Sequence, residues 1–270
     1  MRLGLLGGGT IARLVLERLR AGELEDIEVV ALCGRGGRAS EALAREFAVR
    51  YVHQGASLAA AGVEVVLEAA SHDAVREHAE ALLEARVSVI LLSAGALADE
   101  RLRARLEGAA RHSGALLYVP SGGIGGLDAL KAACAAGVDE VAIQVAKPPA
   151  AWRGIPYVDA LGVDLERLRE AATLFEGTAR EGVPHFPQNV NIAAVLALAG
   201  VGFERTRLRV LADPALSHNT HTIRVAGASG RFQVVLENVA APANPKTAWL
   251  ACYSALAALK ALSAPIRYGT

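Results

Sequence analysis

The run Gly7-Gly8-Gly9-Thr10-Ile11-Ala12 sets small residues at the spacing Gly-x-Gly-x-x-Ala, between an apolar stretch and a segment of helical period. In that context Gly7 permits a tight turn and Gly9 allows close approach of a pyrophosphate. Ala12 keeps the following helix near the sheet, while Thr10 and Ile11 open a helix whose free N–H groups attract an anion. The turn therefore predicts a dinucleotide site. The second apolar run ends Cys33-Gly34-Arg35-Gly36-Gly37-Arg38, with no acid at its tip to take an adenosine ribose. Arg35 there can accept a ribose 2′-phosphate, which a carboxylate would repel, so the cofactor is NAD or NADP. Read simply as exposed charges, Arg35 and Arg38 need no ligand at all.

A second set of reactive side chains lies far along the chain. His221 has a side chain suited to moving protons near neutral pH, although a histidine can equally serve only to orient its own strand. His218 stands three positions earlier, and on an extended segment that offset points the two rings to opposite faces. No further His, Cys or carboxylate follows them at ligand spacing, so no metal is expected. Lys147 and Lys246 can bind carboxylates, or can lie on the surface with their stems packed down. Ser121, Thr220 and Thr247 offer hydroxyls, and the glycines of Ser121-Gly122-Gly123-Ile124-Gly125-Gly126 offer backbone N–H groups to an anion. Asn189 and Asn191 can each donate and accept, which suits an amide or a carboxylate.

The elements that must position these groups fall into two textures. Up to about residue 119, apolar runs at 3–6, 29–33, 63–69, 87–92 and 115–119 alternate with helical periods at 10–21, 40–47, 73–85 and 98–112. This is the pattern of an α/β doubly wound parallel sheet with right-handed crossovers. Beyond Pro120 the reading is a loop, a helix over 127–136, a strand over 140–146, and helices around 165–175 and 191–198. Strands over 205–211, 220–226 and 232–237 follow, then a terminal helix over 246–262. Together these predict a second α+β domain that is mostly antiparallel.

Bulk composition narrows the partners. The 270 residues carry 28 Lys+Arg against 28 Asp+Glu, a zero net charge that argues against nucleic acid or an anionic membrane surface. No uncharged apolar run approaches the roughly 18–20 residues of a membrane span. The first residues enter directly on a strand pattern rather than on a basic, cleavable leader. Cys33, Cys134 and Cys252 are far apart and form no paired framework. The expectation is a cytoplasmic protein with reduced thiols.

Five pieces in order carry a resemblance that composition does not explain. They are Pro120-Ser121-Gly122-Gly123-Ile124-Gly125-Gly126-Leu127-Asp128, Lys147-Pro148-Pro149, Phe186-Pro187-Gln188-Asn189-Val190-Asn191, Asp213-Pro214 leading to His218-Asn219-Thr220-His221, and Asn244-Pro245-Lys246-Thr247. With the glycine turn they span nearly the whole chain, which closely resembles the L-aspartate dehydrogenase family. The resemblance implies oxidation of L-aspartate by NAD or NADP to iminosuccinate. That imine either becomes oxaloacetate and ammonia or feeds pyridine nucleotide biosynthesis. It implies a Rossmann domain over 1–119, with a terminal segment 241–270 packing back on it, and a catalytic and dimerisation domain over 120–240, hence a homodimer. It places the catalytic histidine on His221 and nicotinamide-side contacts near Gly123 and on Asn189 and Asn191. One departure is visible: that loop usually has alanine where this chain has Gly123.

For such a reaction the amine must be neutral, the hydride must face the nicotinamide, and water must attack the imine. His221 is then the general acid/base, and Lys147, Lys246, Ser121, Thr220 and Thr247 are candidates for holding the dicarboxylate. Two alternatives stay open. One is another Rossmann reductase, of the homoserine dehydrogenase or dihydrodipicolinate reductase type. The other is a dinucleotide sensor without turnover, since the fold alone does not imply chemistry.

Overall fold

The computed structural model describes residues 1–186, 190–242, 244–266 and 268–269, with the backbone alone for 244–246. The chain divides into two compact units, Met1–Pro120 with Cys252–Arg267, and Ser121–Ala251 with Tyr268–Thr270.

The first unit runs β1 (Arg2–Leu6), α1 (Thr10–Arg20), β2 (Glu28–Cys33), α2 (Arg38–Glu46), β3 (Arg50–Val52), α3 (Ala56–Ala60), β4 (Val65–Glu68), α4 (His72–Glu84), β5 (Ser88–Leu91), α5 (Glu100–Ser113) and β6 (Leu117–Tyr118). The strands form one sheet in the order β3-β2-β1-β4-β5-β6, every neighbouring pair parallel. This is the doubly wound dinucleotide-binding order that the alternating runs predict. Such a sheet is covered on both faces, and β4 and most of β1 and β5 are accordingly buried along their length. The sequence reading missed β3 and α3. At three and five residues they are too short to leave a period.

The second unit begins with a tight turn at 121–126, in which Gly122 and Gly126 take positive φ. It continues with α6 (Leu127–Ala136), β7 (Val138–Lys147), α7 (Pro156–Ala160), β8 (Ala172–Thr178), α8 (Ala179–Gly182), α9 (Asn191–Ala199), β9 (Thr206–Ala212), β10 (Asn219–Gly227), β11 (Gly230–Asn238), β12 (Ala240–Ala241) and β13 (Asn244–Ala248). The main sheet has the order β11-β10-β7-β9-β8. Only the central β7–β9 pair is parallel. On β10, His221, Ile223 and Val225 share one face and Thr220, Thr222 and Arg224 the other.

Two expected elements are corrected. The helix read around 165–175 is absent: the chain turns at 165–167, where the Asp164 carboxylate accepts from the Glu166 N–H (3.1 Å), and then extends as β8. Leu165, Leu168 and Phe175 do sit at helical intervals. However, β9 has an open edge whose backbone groups need partners, and pairing with β8 supplies them. The terminal helix, read as beginning at Lys246, begins three residues later as α10 (Trp249–Ser263), because 244–248 pair with β12. From Cys252 onward that helix belongs to the first unit, and its Ala255, Leu256, Ala258 and Leu259 are buried in a cluster with Leu3, Val15 and Leu32.

Candidate active site

Each glycine of the first turn has its own reason. Gly7 has φ 109°, and a Cβ there would stand 2.7 Å from the Ala69 carbonyl oxygen just after β4, so the turn from β1 into α1 excludes any side chain. Gly8 packs on Ser40, whose hydroxyl a Cβ would strike. Gly9 is different: a Cβ would meet nothing within 4 Å, so protein packing does not demand glycine there. The open space leaves room for a ligand to approach the backbone. Gly9 also caps α1 without a side-chain hydrogen bond and the first turn carries no acid, so its N–H groups remain available to an anion. Thr10 and Ile11 are half-buried at this end, and Ala12 is buried in the core.

At the tip of β2, Arg35 is exposed and donates to the Ser71 hydroxyl (2.9 Å), with Asp73 at 3.7 Å. Ser40 also crowds the Cβ position of Gly34, so its hydroxyl sits between the glycine turn and this tip. Sequence reasoning passed over Ser40. It also passed over Glu68, the fully buried end of β4. Its carboxylate accepts from the N–H groups of Ala70, Ser71 and Ser93 and from the Ser93 hydroxyl, at 2.8–3.1 Å. Burial pushes this carboxyl up and those bonds pull it back. By holding 69–71, Glu68 steadies the segment against which Gly7 packs. An acid closing the run Val65-Val66-Leu67 was the available signal.

In the second unit the inward face of the sheet ends in a polar group. His221 is 3% exposed, and its Nδ1 lies 3.1 Å from the Gly123 carbonyl oxygen and 3.1 Å from Asn238 Nδ2. Asn238 Nδ2 in turn donates to the same carbonyl at 3.0 Å. His221 Nε2 is buried with no hydrogen-bond partner among the described residues. Burial drives the imidazole down to about 4, the Gly123 carbonyl opposes this, and nearby Lys147 adds to it. Lys147, only 4% exposed, ends β7 on the same face, its ammonium 5.0 Å from the centre of the Trp152 ring. Burial lowers Lys147 to about 8. Trp152 is fixed by a bond from its Nε1 to the Leu211 carbonyl (2.9 Å) and by an edge contact with Phe186.

The structure thus gathers His221, Lys147 and Gly123 in one place, with Asn238 as a member that sequence reasoning missed. The signal was present, since Phe232, Val234, Leu236 and Asn238 share the inward phase of β11. Ser121 opens the Gly123 turn. Asn191 starts α9 just before Ile192, and Thr247 precedes Ala248; both Ile192 and Ala248 lie beside Gly123. An alanine methyl at Gly123 would meet Ala248 at an ordinary 3.4 Å, so the glycine is not forced by space. Thr220 projects to the opposite face of β10 from His221, its hydroxyl buried without a partner among the described residues, and is not brought to this group. His218 is exposed and bonds to Ser217 Oγ (2.8 Å), apart from His221. Asn189 and the side chain of Lys246 lie outside the described residues.

A Rossmann sheet with an open glycine turn, joined in one chain to a mixed sheet bearing a buried histidine, defines a nicotinamide-dinucleotide-dependent dehydrogenase. Residues 7–120 match the family described as homoserine dehydrogenase, NAD binding domain, and residues 128–262 match aspartate dehydrogenase, C-terminal. The chain is 42% identical to the L-aspartate dehydrogenase of Methanosarcina mazei over 271 aligned residues, covering all of both proteins. It is also 42% identical to L-aspartate dehydrogenase 2 of Bordetella pertussis, covering 96% of each. The crystal structure of aspartate dehydrogenase from Thermotoga maritima superposes with a TM-score of 0.77 at 30% identity, over 100% of this chain and 99% of that one. The chain belongs to the aspartate dehydrogenase family. It is an oxidoreductase that uses NAD or NADP. The homoserine dehydrogenase likeness covers the cofactor half alone.

Proposed function

We propose that this protein oxidises L-aspartate to iminosuccinate, with His221 as the general base. The observation that carries the reading is the buried His221 Nε2 with no partner among the described residues. An imidazole held neutral in such a place has a lone pair ready for a substrate proton. The Gly7–Ala12 turn and the start of α1 hold the pyrophosphate, and Arg35 and Ser40 face the adenosine ribose or its 2′-phosphate. When bound, the oxidised nicotinamide accepts the hydride from Cα of the amino acid. His221 Nε2 first takes a proton from the substrate ammonium, leaving the amine lone pair free to form the C=N bond. After that proton has passed to solvent, Nε2 takes a proton from the water that adds to the imine carbon, and returns it as ammonia leaves to give oxaloacetate. Lys147 pairs with a substrate carboxylate, and the substrate's two negative charges raise His221 from its low resting value toward working pH. Gly123, Asn189 and Asn191 are assigned to the nicotinamide side, and Ser121, Lys246 and Thr247 to the dicarboxylate. Thr220, facing away from His221, drops out of that set.

We also infer a cytoplasmic homodimer with no nucleic-acid or membrane partner. Supporting the location and the partners are the zero net charge, three cysteines spaced without a paired framework, and the lack of any described helix long and apolar enough to span a bilayer; the dimer rests on the family resemblance. The 1–119 and 241–270 segments serve the cofactor, and 120–240 the chemistry and the dimer. Released iminosuccinate would suit pyridine nucleotide synthesis.

The test follows reduced-nicotinamide absorbance with L-aspartate, homoserine or L-glutamate and NAD or NADP. Activity is expected with L-aspartate. His221→Ala should lose about 10²–10⁴-fold in kcat while binding cofactor as before. Undiminished turnover in that variant would end the assignment, and preference for homoserine would redirect it.

A further inference from the structure

We propose that Asn238 is a positioning residue: it pins the Gly123 carbonyl so that this oxygen holds His221 as the Nδ1–H tautomer, leaving Nε2 as the only atom that can take the proton. The proposal rests on the reading of His221 as general base and goes one step deeper.

Three atoms form a nearly equilateral triangle. His221 Nδ1, the Gly123 oxygen and Asn238 Nδ2 stand 3.0–3.1 Å apart, and all three residues are buried. Orientation of the amide follows from chemistry. Were it reversed, Asn238 Oδ1 would face the carbonyl oxygen with lone pair against lone pair; with the NH₂ turned inward, a donor meets an acceptor. Backbone register holds the amide there. Asn238 pairs with Asn219 across β11 and β10, two residues from His221, so a short inward side chain on one strand reaches the ring on the next.

Two proton arrangements fit the triangle. In one, Nδ1 accepts the second amide hydrogen, and Nε2 must then carry a hydrogen into a buried position with no acceptor among the described residues. A buried N–H without an acceptor is among the rarest and costliest defects in folded proteins. In the other, the carbonyl accepts from both Nδ1–H and the amide through its two lone pairs, and the unpartnered atom is a lone pair that a substrate proton fills. Turnover separates them further. Protonation at Nε2 in the second arrangement leaves the triangle unchanged and strengthens the Nδ1–H bond to the carbonyl. In the first, the only ring lone pair is the one already accepting from Asn238, so taking a proton there breaks that bond and offers nothing to the substrate at Nε2.

Gly123 sits in a glycine-rich turn whose Gly122 and Gly126 take positive φ, and the carbonyl's aim depends on what fastens it. Asn238 is that fastening. Its effect on chemistry is through the imidazole and not by contact with substrate.

The decisive measurement is ¹H–¹⁵N correlation NMR of the full chain labelled in histidine, with the His221 signals identified as those missing in His221→Gln. Near pH 7 the wild type should give a pyrrole-type Nδ1 and a pyridine-type Nε2. An Nε2–H ring in the wild type would overturn the proposal without requiring any variant to fold. In Asn238→Ala the two tautomers should mix and kcat should fall roughly 10- to 100-fold, with cofactor binding retained. Asn238→Asp should move the acidic limb of the kcat/KM profile to higher pH, because a carboxylate beside Nδ1–H favours the imidazolium. An Asn238→Ala enzyme with wild-type tautomer and turnover would also overturn the proposal. Full turnover in His221→Gln would instead remove the general-base reading beneath it, whatever tautomer the ring adopts.

Discussion

The glycine turn of the first unit and the histidine corner of the second solve opposite problems. At 7–9 side chains are absent and what remains is geometry, a positive φ at Gly7, a packed hydroxyl under Gly8 and open space over Gly9, and in the proposed function the backbone itself meets the ligand. At the corner the proposed ligand meets side chains, and the surrounding sheet removes water from these. Lys147 and His221 lie on adjoining strands, on a face that also carries Ile143, Val145, Ile223 and Val225, and burial lowers both. One region works by what is missing and the other by what is enclosed, so the two should fail differently when perturbed.

The largest effect is expected from Gly7→Ala. It combines a left-handed φ with a contact against the Ala69 carbonyl, and should destabilise the fold by about 2–3 kcal/mol in denaturant titration. A smaller loss would mean the turn can relax, blurring its contrast with Gly9. Next comes pH. Lys147 is charged below about 8 and neutral above it, so KM for L-aspartate should rise as pH passes through that value, while cofactor affinity stays level. Lys147→Met should abolish the rise and leave KM high throughout. In stability the sign is the reverse, since a depressed cationic group penalises the fold while it is protonated only in the unfolded chain. For His221 that penalty grows as pH falls from about 6.5 toward 4. At the strand tip, Arg35→Asp should weaken NADP relative to NAD by roughly tenfold in fluorescence titration, the loss of one phosphate contact. An unchanged ratio would reject a phosphate role. The smallest stability change belongs to Gly9→Ala, under about 1 kcal/mol as a cap substitution. If cofactor affinity nevertheless drops, the space above Gly9 is for ligand.

The same contrast explains what could be read from residue order. Gly-x-Gly-x-x-Ala declares itself because its spacing is local, small residues within one strand-to-helix turn, even though Ala69 and Ser40, against which Gly7 and Gly8 pack, lie far along the chain. The parallel sheet was legible for a similar reason, since doubly buried strands are continuous apolar runs. Asn238 and Glu68 were not, although each ends a readable strand. Their partners, Gly123 and Ser93, lie 115 and 25 residues away, and no period links them. The helix misread at 165–175 failed through the same gap. Its spacing was helical, but an unpaired edge of β9 decided the outcome. Lys147 was read as either surface or site, and only the closure of Trp152 over it settles that it is enclosed.

The passage of α10 from one unit into the other has a consequence for the order of manufacture. Ala255, Leu256 and Leu259 complete an apolar cluster whose other members, such as Leu3 and Val15, leave the ribosome first. At usual elongation rates the chain between them takes on the order of ten seconds to emerge. Through that interval the nascent cofactor fold has an unroofed apolar surface, the condition under which chaperones bind. A fragment ending at Pro120 would remain in that condition permanently.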